Sequence, residues 1–182
     1  MSAKDIAAAL RRVEAVLRRR PRTGLQQDTP AAARWDGGLR AVTSHPDGTR
    51  IVTDVPPELG GGGGVTPGWF MRAGLASCEA TRIAMSAALA GIELKSLEVI
   101  ASSRSDASGL LDLAGADGAR VSAAPRDVEL RVRLCAPGVA PERLRALVED
   151  SHHCSPVSRA VQEAVAVALR IEIEAEAEAE AD

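Results

Sequence analysis

The chain has no tyrosine, one phenylalanine and two tryptophans, so aromatic residues make up 2% of its 182 positions. Single strands are bound by stacking bases on aromatic faces, and duplexes by a broad cationic field. A net charge of -3 supplies neither surface, which sets nucleic acid aside as an expected partner. No apolar run is long enough to span a bilayer, and the N-terminus lacks the apolar core of a secretory signal, so no membrane association and a cytoplasmic location are expected. Cysteine is scarce and odd in number, at Cys78, Cys135 and Cys154. In a reducing compartment that count argues against a structural disulfide framework, and any disulfide would be transient and chemical.

Other motifs are missing too. Without CxxC or HxxxH spacing, a metal site would have to use His152, His153 and Cys154 with a distant Cys78, and the three adjacent side chains cannot easily aim at one ion. No metal or cofactor is expected. There is no GxSxG elbow for a serine hydrolase. The glycine run Gly60–Gly64 lacks the GKS or GKT ending of a phosphate loop and reads as a tight or flexible connection.

What remains is the patterning of one domain with 46% apolar residues, enough for a sizeable core. Ile6, Leu10, Val13 and Leu17 line one side of an expected amphipathic helix over residues 3–20, and PRTGLQQDTP follows as a linker, so 1–30 form an N-terminal extension. The body is expected over 31–173. AAARW, LRAVTS and TRIVTDV, with HPDG as a turn, read as an antiparallel meander. Thr66 as a cap and Pro67 at the first position open a helix that runs to Ala90 and stops at Gly91. Being apolar on most sides, this helix is expected to be buried, and a chain this size has little else to cover it, which points to a homodimer.

IELKSLEVIAS reads as a strand, 104–126 as a long loop or hairpin, and the alternation of Val128, Leu130, Val132 and Leu134 as a half-buried antiparallel strand. APERLRALVEDSHHC is a helix broken at Ser155-Pro156, and PVSRAVQEA a second, short one. Val165, Val167, Leu169, Ile171 and Ile173 then alternate as a final strand, before an acidic tail, 174–182, expected to be disordered. Helices and strands do not alternate regularly, so the class is α+β.

Cys78, in RAGLASCEATR, is the candidate for chemistry. It lies about three turns inside its helix, too far from the N-terminal amides for them to activate a thiol, so a cationic side chain would be needed. Arg82 at i+4 and Arg34, Arg40 and Arg50 in the meander all qualify, and a buried packing role for the cysteine stays open beside the nucleophilic one. Cys154 sits at the helix break, a position suited to a resolving thiol, while Cys135 at the end of its strand reads as a bystander.

The stretch LGGGGGVTPGWFMRAGLASC, followed much later by HHCSPVSRAV and an alternating final segment, resembles the OsmC/Ohr family, the osmotically inducible and organic hydroperoxide resistance proteins. The likeness covers about residues 31–173 and rests on the spacing of Pro67 and Cys78 and on Cys154 beside Pro156-Val157-Ser158. It implies antiparallel sheets around a long buried central helix in an intertwined homodimer. It also implies a thiol-dependent peroxidase that reduces organic hydroperoxides, with Cys78 peroxidatic, Cys154 resolving by a Cys78–Cys154 disulfide, and an arginine of the early strands, here Arg40, holding the thiolate. A small dithiol, lipoyl-type in the family, would be the reductant. Two departures stand out. Gly68 replaces the glutamate that follows the helix-opening proline in the hydroperoxide reductases, leaving Glu79 and Glu58 as substitutes, and the usual Cys-Pro pair reads Ser155-Pro156 with the thiol one residue earlier. The alternative is a non-catalytic dimer of the same fold that binds an apolar ligand or senses redox state.

Overall fold

The computed structural model describes residues 2–173. The acidic tail expected at 174–182 lies outside them. Helix α1 (Ala3–Arg19) is closed at its start by a capping box, in which Ser2 Oγ accepts from the Asp5 amide and the Asp5 carboxylate accepts from the Ser2 amide. The hydrogen bonds from Ser2 hold the Asp5 carboxyl below the usual carboxylate range. Strands β1 (Ala32–Trp35), β2 (Ala41–Ser44) and β3 (Arg50–Thr53) pair antiparallel in sequence order. HPDG forms the β2–β3 turn as expected, with the Thr49 amide donating to Asp47 Oδ1.

The glycine run folds back over Asp54, which is 5% exposed. Asp54 Oδ1 accepts from the Val55 amide at 2.7 Å and Oδ2 from the Gly62 amide at 3.0 Å. A carboxylate of the chain therefore already takes amides that a phosphate would need. A Cβ on Gly61 would run into the Val55 carbonyl oxygen, so the turn requires glycine there.

Helix α2 (Pro67–Leu89) starts at Thr66, whose Oγ1 accepts from the Trp69 amide at 3.1 Å. It ends in a Schellman motif: the Ile92 amide donates to the Ala87 carbonyl at 2.8 Å, the Gly91 amide to Ala88 at 3.1 Å, and Gly91 takes φ 67°. Ile92 and Ala87 then meet in a small core with Ala136, over which Leu94, Val139, Leu144 and Leu147 close. In α2 itself, Leu75, Glu79, Ile83 and Ala87 form a fully buried i, i+4 stripe, joined by Ala88, and Trp69 is 48% exposed. Burial within one chain thus follows one stripe of this helix.

Strand β4 (Ser96–Arg104) pairs antiparallel with β5 (Arg126–Cys135), with an irregularity between Ser102 and Arg104. β4 begins at Ser96: the Ile92 amide is used in the helix cap, and the Lys95 amide already donates to Cys135 O at 2.7 Å just ahead of the strand. The 104–126 segment contains a short helix α3 (Ala107–Leu110) and an Ala114–Arg120 bridge. Helices α4 (Pro141–His153) and α5 (Pro156–Gln162) pack on α2, as do α1 and β4.

The expected final strand differs. Residues 165–173 carry no strand pairing, and Val167, Leu169 and Ile173 are 92%, 82% and 90% exposed. Alternation makes a segment competent to be a strand, but a strand exists only when a neighbour takes its backbone hydrogen bonds. Among the described residues β5 pairs with β4 alone.

Candidate thiol site

Cys78 is half-buried on α2. Its Sγ accepts a hydrogen bond from Ser155 Oγ at 3.4 Å, across 77 residues of sequence. Ser155 is fully buried and forms the hinge between α4 and α5, where Cys154 ends one helix and Pro156 starts the next. The turn is tight because its amides are used: Cys154 N–H donates to Ser151 O at 3.0 Å, Ser155 N–H to His152 O at 3.1 Å, and Arg159 N–H to Ser155 O at 2.9 Å. Proline at 156 has no amide to satisfy, which is why the chain turns there at no hydrogen-bonding cost.

A cavity of about 460 Å3 opens over this contact. Its walls are Cys78, Thr81, Arg82 and Met85 from α2, and Cys154 and Pro156 from the break. Both cysteines singled out from sequence therefore face one space, Cys78 half-buried and Cys154 exposed. Of the candidate cations, Arg82 shares their cavity. Arg40 does not line it: its Nη2 pairs with Asp36 Oδ2 at 3.3 Å, and it lines a separate cavity with Val52, Asp54 and Gly62–Gly64. Cys135 is exposed at the far end of β5.

The adjacent residue, Glu79, is 1% exposed. Its Oε2 accepts from Ser158 Oγ at 3.1 Å and meets His152 Nδ1 at 3.1 Å. Gln162 Nε2 lies 3.0 Å from His152 Nε2, so with the amide donating there the imidazole proton sits on Nδ1 and is given to Glu79. Among the described residues Glu79 Oε1 has no hydrogen-bond partner. Glu58, the other acid considered from sequence, lies exposed in the short turn Pro57–Leu59. His153 is exposed, and among the described residues no three or more His, Cys, Asp or Glu side chains are grouped to hold a metal ion. Sequence reasoning missed Ser155 and Ser158. The one signal for Ser155 was its place directly before Pro156, where the resembled family has its second cysteine.

Chemically, the cavity presents a half-buried thiol, a hydroxyl donor on its sulfur, a guanidinium on the same helix face and a second thiol at the rim. That combination suits nucleophilic thiol chemistry on a small substrate with an apolar part. Among the described residues no helix is long and apolar enough to cross a membrane.

Comparison with known proteins agrees with this geometry at the level of the fold. No curated protein matches the chain. Among solved structures, an OsmC-like protein from Mycoplasma pneumoniae superposes with a TM-score of 0.63 at 15% identity, covering 76% of this chain and 89% of that one. An OsmC-like protein of unknown function from Vibrio cholerae gives 0.59 at 15%, covering 75% and 95%. An organic hydroperoxide resistance protein OsmC from Legionella pneumophila gives 0.52 at 26% identity, covering 76% and 91%. The family model for OsmC-like proteins matches residues 60–170, which is more than half of the chain and contains Cys78, Cys154 and the break between α4 and α5: the chain belongs to the OsmC-like family.

Proposed function

We propose that the protein is a thiol-dependent peroxidase that reduces organic hydroperoxides. The observation that carries this reading is the shared cavity, in which Cys78 and Cys154 face one space with Arg82 while Ser155 donates to the Cys78 sulfur. The Cys78 thiolate attacks the terminal oxygen of the hydroperoxide; the O–O bond breaks, an alcohol leaves after taking up a proton, and the sulfur becomes a sulfenic acid. The Cys154 thiol then attacks that sulfur, water leaves, and a Cys78–Cys154 disulfide forms. An external dithiol, lipoyl-type or another of small size, returns both thiols by exchange and is itself oxidised. Met85 and Pro156 give the cavity an apolar side, which favours an alkyl or aryl hydroperoxide over hydrogen peroxide.

The working unit in this proposal is an intertwined homodimer built around α2, with the site at the subunit interface. Trp69 on α2 and Ile51 and Val52 on β3 are large apolar side chains left open in one chain, as an interface needs. Within one chain Arg40 stays with Asp36, so its proposed role as thiolate-holding cation belongs to the dimer, and Arg82, which lines the thiol cavity, is the cation proposed for it within the chain. The test is rapid mixing of reduced protein with cumene hydroperoxide and, in parallel, hydrogen peroxide, followed by intact mass and thiol counting. Loss of two thiols per chain with the organic peroxide supports the reading; unchanged thiols refute it.

Two features favour a second reading, a non-catalytic dimer that binds an apolar ligand or senses redox state. Gly68 leaves the start of α2 without the carboxylate of the hydroperoxide reductases, and a separate cavity of about 460 Å3 has Leu75, Val128, Leu130, Val132 and Val148 on its walls beside Glu79, Glu129, Glu149 and His152. Peroxide turnover separates the two.

A further inference from the structure

Glu79 is an unusual residue to find at 1% exposure, because a buried carboxylate is costly unless fully paired, and here one oxygen has no hydrogen-bond partner among the described residues. It lines a cavity together with Leu75, Val148 and Val161, so it lies beside apolar side chains as well as its two polar partners. What the acid does that an apolar residue could not is join three elements at one atom. Oε2, on α2, holds His152 in the last turn of α4 and Ser158 in the first turn of α5.

Those two anchors lie on either side of the break that carries Cys154 and Ser155. His152 in turn reaches Gln162 at the end of α5, so the short helix is held at both ends. We propose that Glu79 is the positioning residue of the thiol site: its buried carboxylate clamps both flanks of the α4–α5 break and so holds Ser155 and Cys154 at Cys78. This rests on the proposed role of the two cysteines. Without the clamp, the one side-chain hydrogen bond left between the break and α2 among the described residues is that of Ser155 to Cys78, beside the packing of the helices, and Cys154 samples positions away from Cys78. A thiol pair held in place has a high effective concentration, and one on an unanchored turn does not.

The test measures that effective concentration directly, without peroxide. Full-length protein carrying Cys135→Ser, to remove the exposed third thiol, is equilibrated in glutathione buffers. There two protein thiols and one oxidised glutathione give the intramolecular disulfide and two reduced glutathiones. Glu79→Gln is expected to lower the effective concentration of the Cys78–Cys154 pair by about ten-fold or more, and Ser158→Ala by about three-fold or more. Ser158→Thr, which keeps the hydroxyl, is expected to restore the parent value. Urea unfolding of the reduced forms runs alongside, since a residue that only stabilises the fold would shift the midpoint and leave the thiol pair of the folded protein unchanged.

If Glu79→Gln and Ser158→Ala both stay within about two-fold of the parent, the clamp is wrong. If Glu79→Gln does not fold, Ser158→Ala and its threonine counterpart decide alone. A parent protein that forms the disulfide in glutathione but ignores cumene hydroperoxide overturns the peroxidase reading, and the variants still decide the clamp. A parent that forms no intramolecular disulfide overturns both.

Discussion

Moving the second thiol by one residue tests the geometry of the site most sharply. In the double variant Cys154→Ser/Ser155→Cys, again with Cys135→Ser, sulfur replaces the oxygen that lies 3.4 Å from Cys78 Sγ. A disulfide needs about 2.0 Å, so about 1.4 Å must be closed. The longer carbon–sulfur bond covers about 0.4 Å of that, and side-chain rotation with small shifts of the break must supply the rest. The bridge would close a loop of 77 residues, for which chain entropy alone gives about 4.5 kcal/mol of stabilisation. Strain and residual order in the unfolded chain reduce the yield, so the oxidised form is expected to exceed the reduced form by about 2–4 kcal/mol. Urea denaturation of the two forms, with intact mass confirming one intramolecular disulfide, measures it. Free thiols persisting in excess oxidised glutathione, or a bridged form less stable than the reduced one, would show that the break does not sit on Cys78.

Cys78→Ser is expected to abolish hydroperoxide consumption, whereas Cys154→Ser should still react once and then leave Cys78 as a sulfenic acid that excess peroxide drives to the sulfinic state, as trapping with dimedone and intact mass would show. Arg82→Met should slow alkylation of Cys78 by iodoacetamide by about ten-fold in the isolated chain, and Arg40→Ala should do so only where a dimer is present; equal, negligible effects of both would remove the cationic partner from the proposal. Sedimentation of the wild type is expected to give a dimer at micromolar concentration, and a stable monomer would refute the interface. Gly91→Ala places a Cβ on a residue with φ 67° and should cost about 1–2 kcal/mol in urea unfolding; no loss would mean that the Schellman end of α2 is not as described.

Much of the architecture was written locally. Thr66-Pro67 and Gly91 mark the ends of α2 because a cap, a missing amide and a left-handed residue act within one helical turn, and the α2 reading to Ala90 agrees with Pro67–Leu89. The alternation over Asp127–Leu134 was legible for the same kind of reason, since a pleated strand shows its two faces every second residue. Cys78 and Cys154 could be named as candidates from residue type and from a family likeness carried by spacing. The α4–α5 break could be placed because proline at 156 stops a helix from running through.

Tertiary structure decided the rest. That Ser155 touches the Cys78 sulfur depends on how α4 and α5 pack against α2 across 77 residues, a separation that periodicity does not reach. Glu79 could be named only as one of two substitutes, with Glu58, for the missing carboxylate at position 68, and only packing placed it inside with His152 and Ser158, because a lone acid is buried where partners from other elements arrive to hold it. Spacing did not rank Arg34, Arg40, Arg50 and Arg82, and the family resemblance alone pointed to Arg40, since which guanidinium shares a cavity with a thiol is a matter of how sheet and helix are set against each other. Val165–Ile173 had every local mark of a strand and pairs with nothing among the described residues, because local pattern makes a strand possible and only a neighbouring edge makes it form.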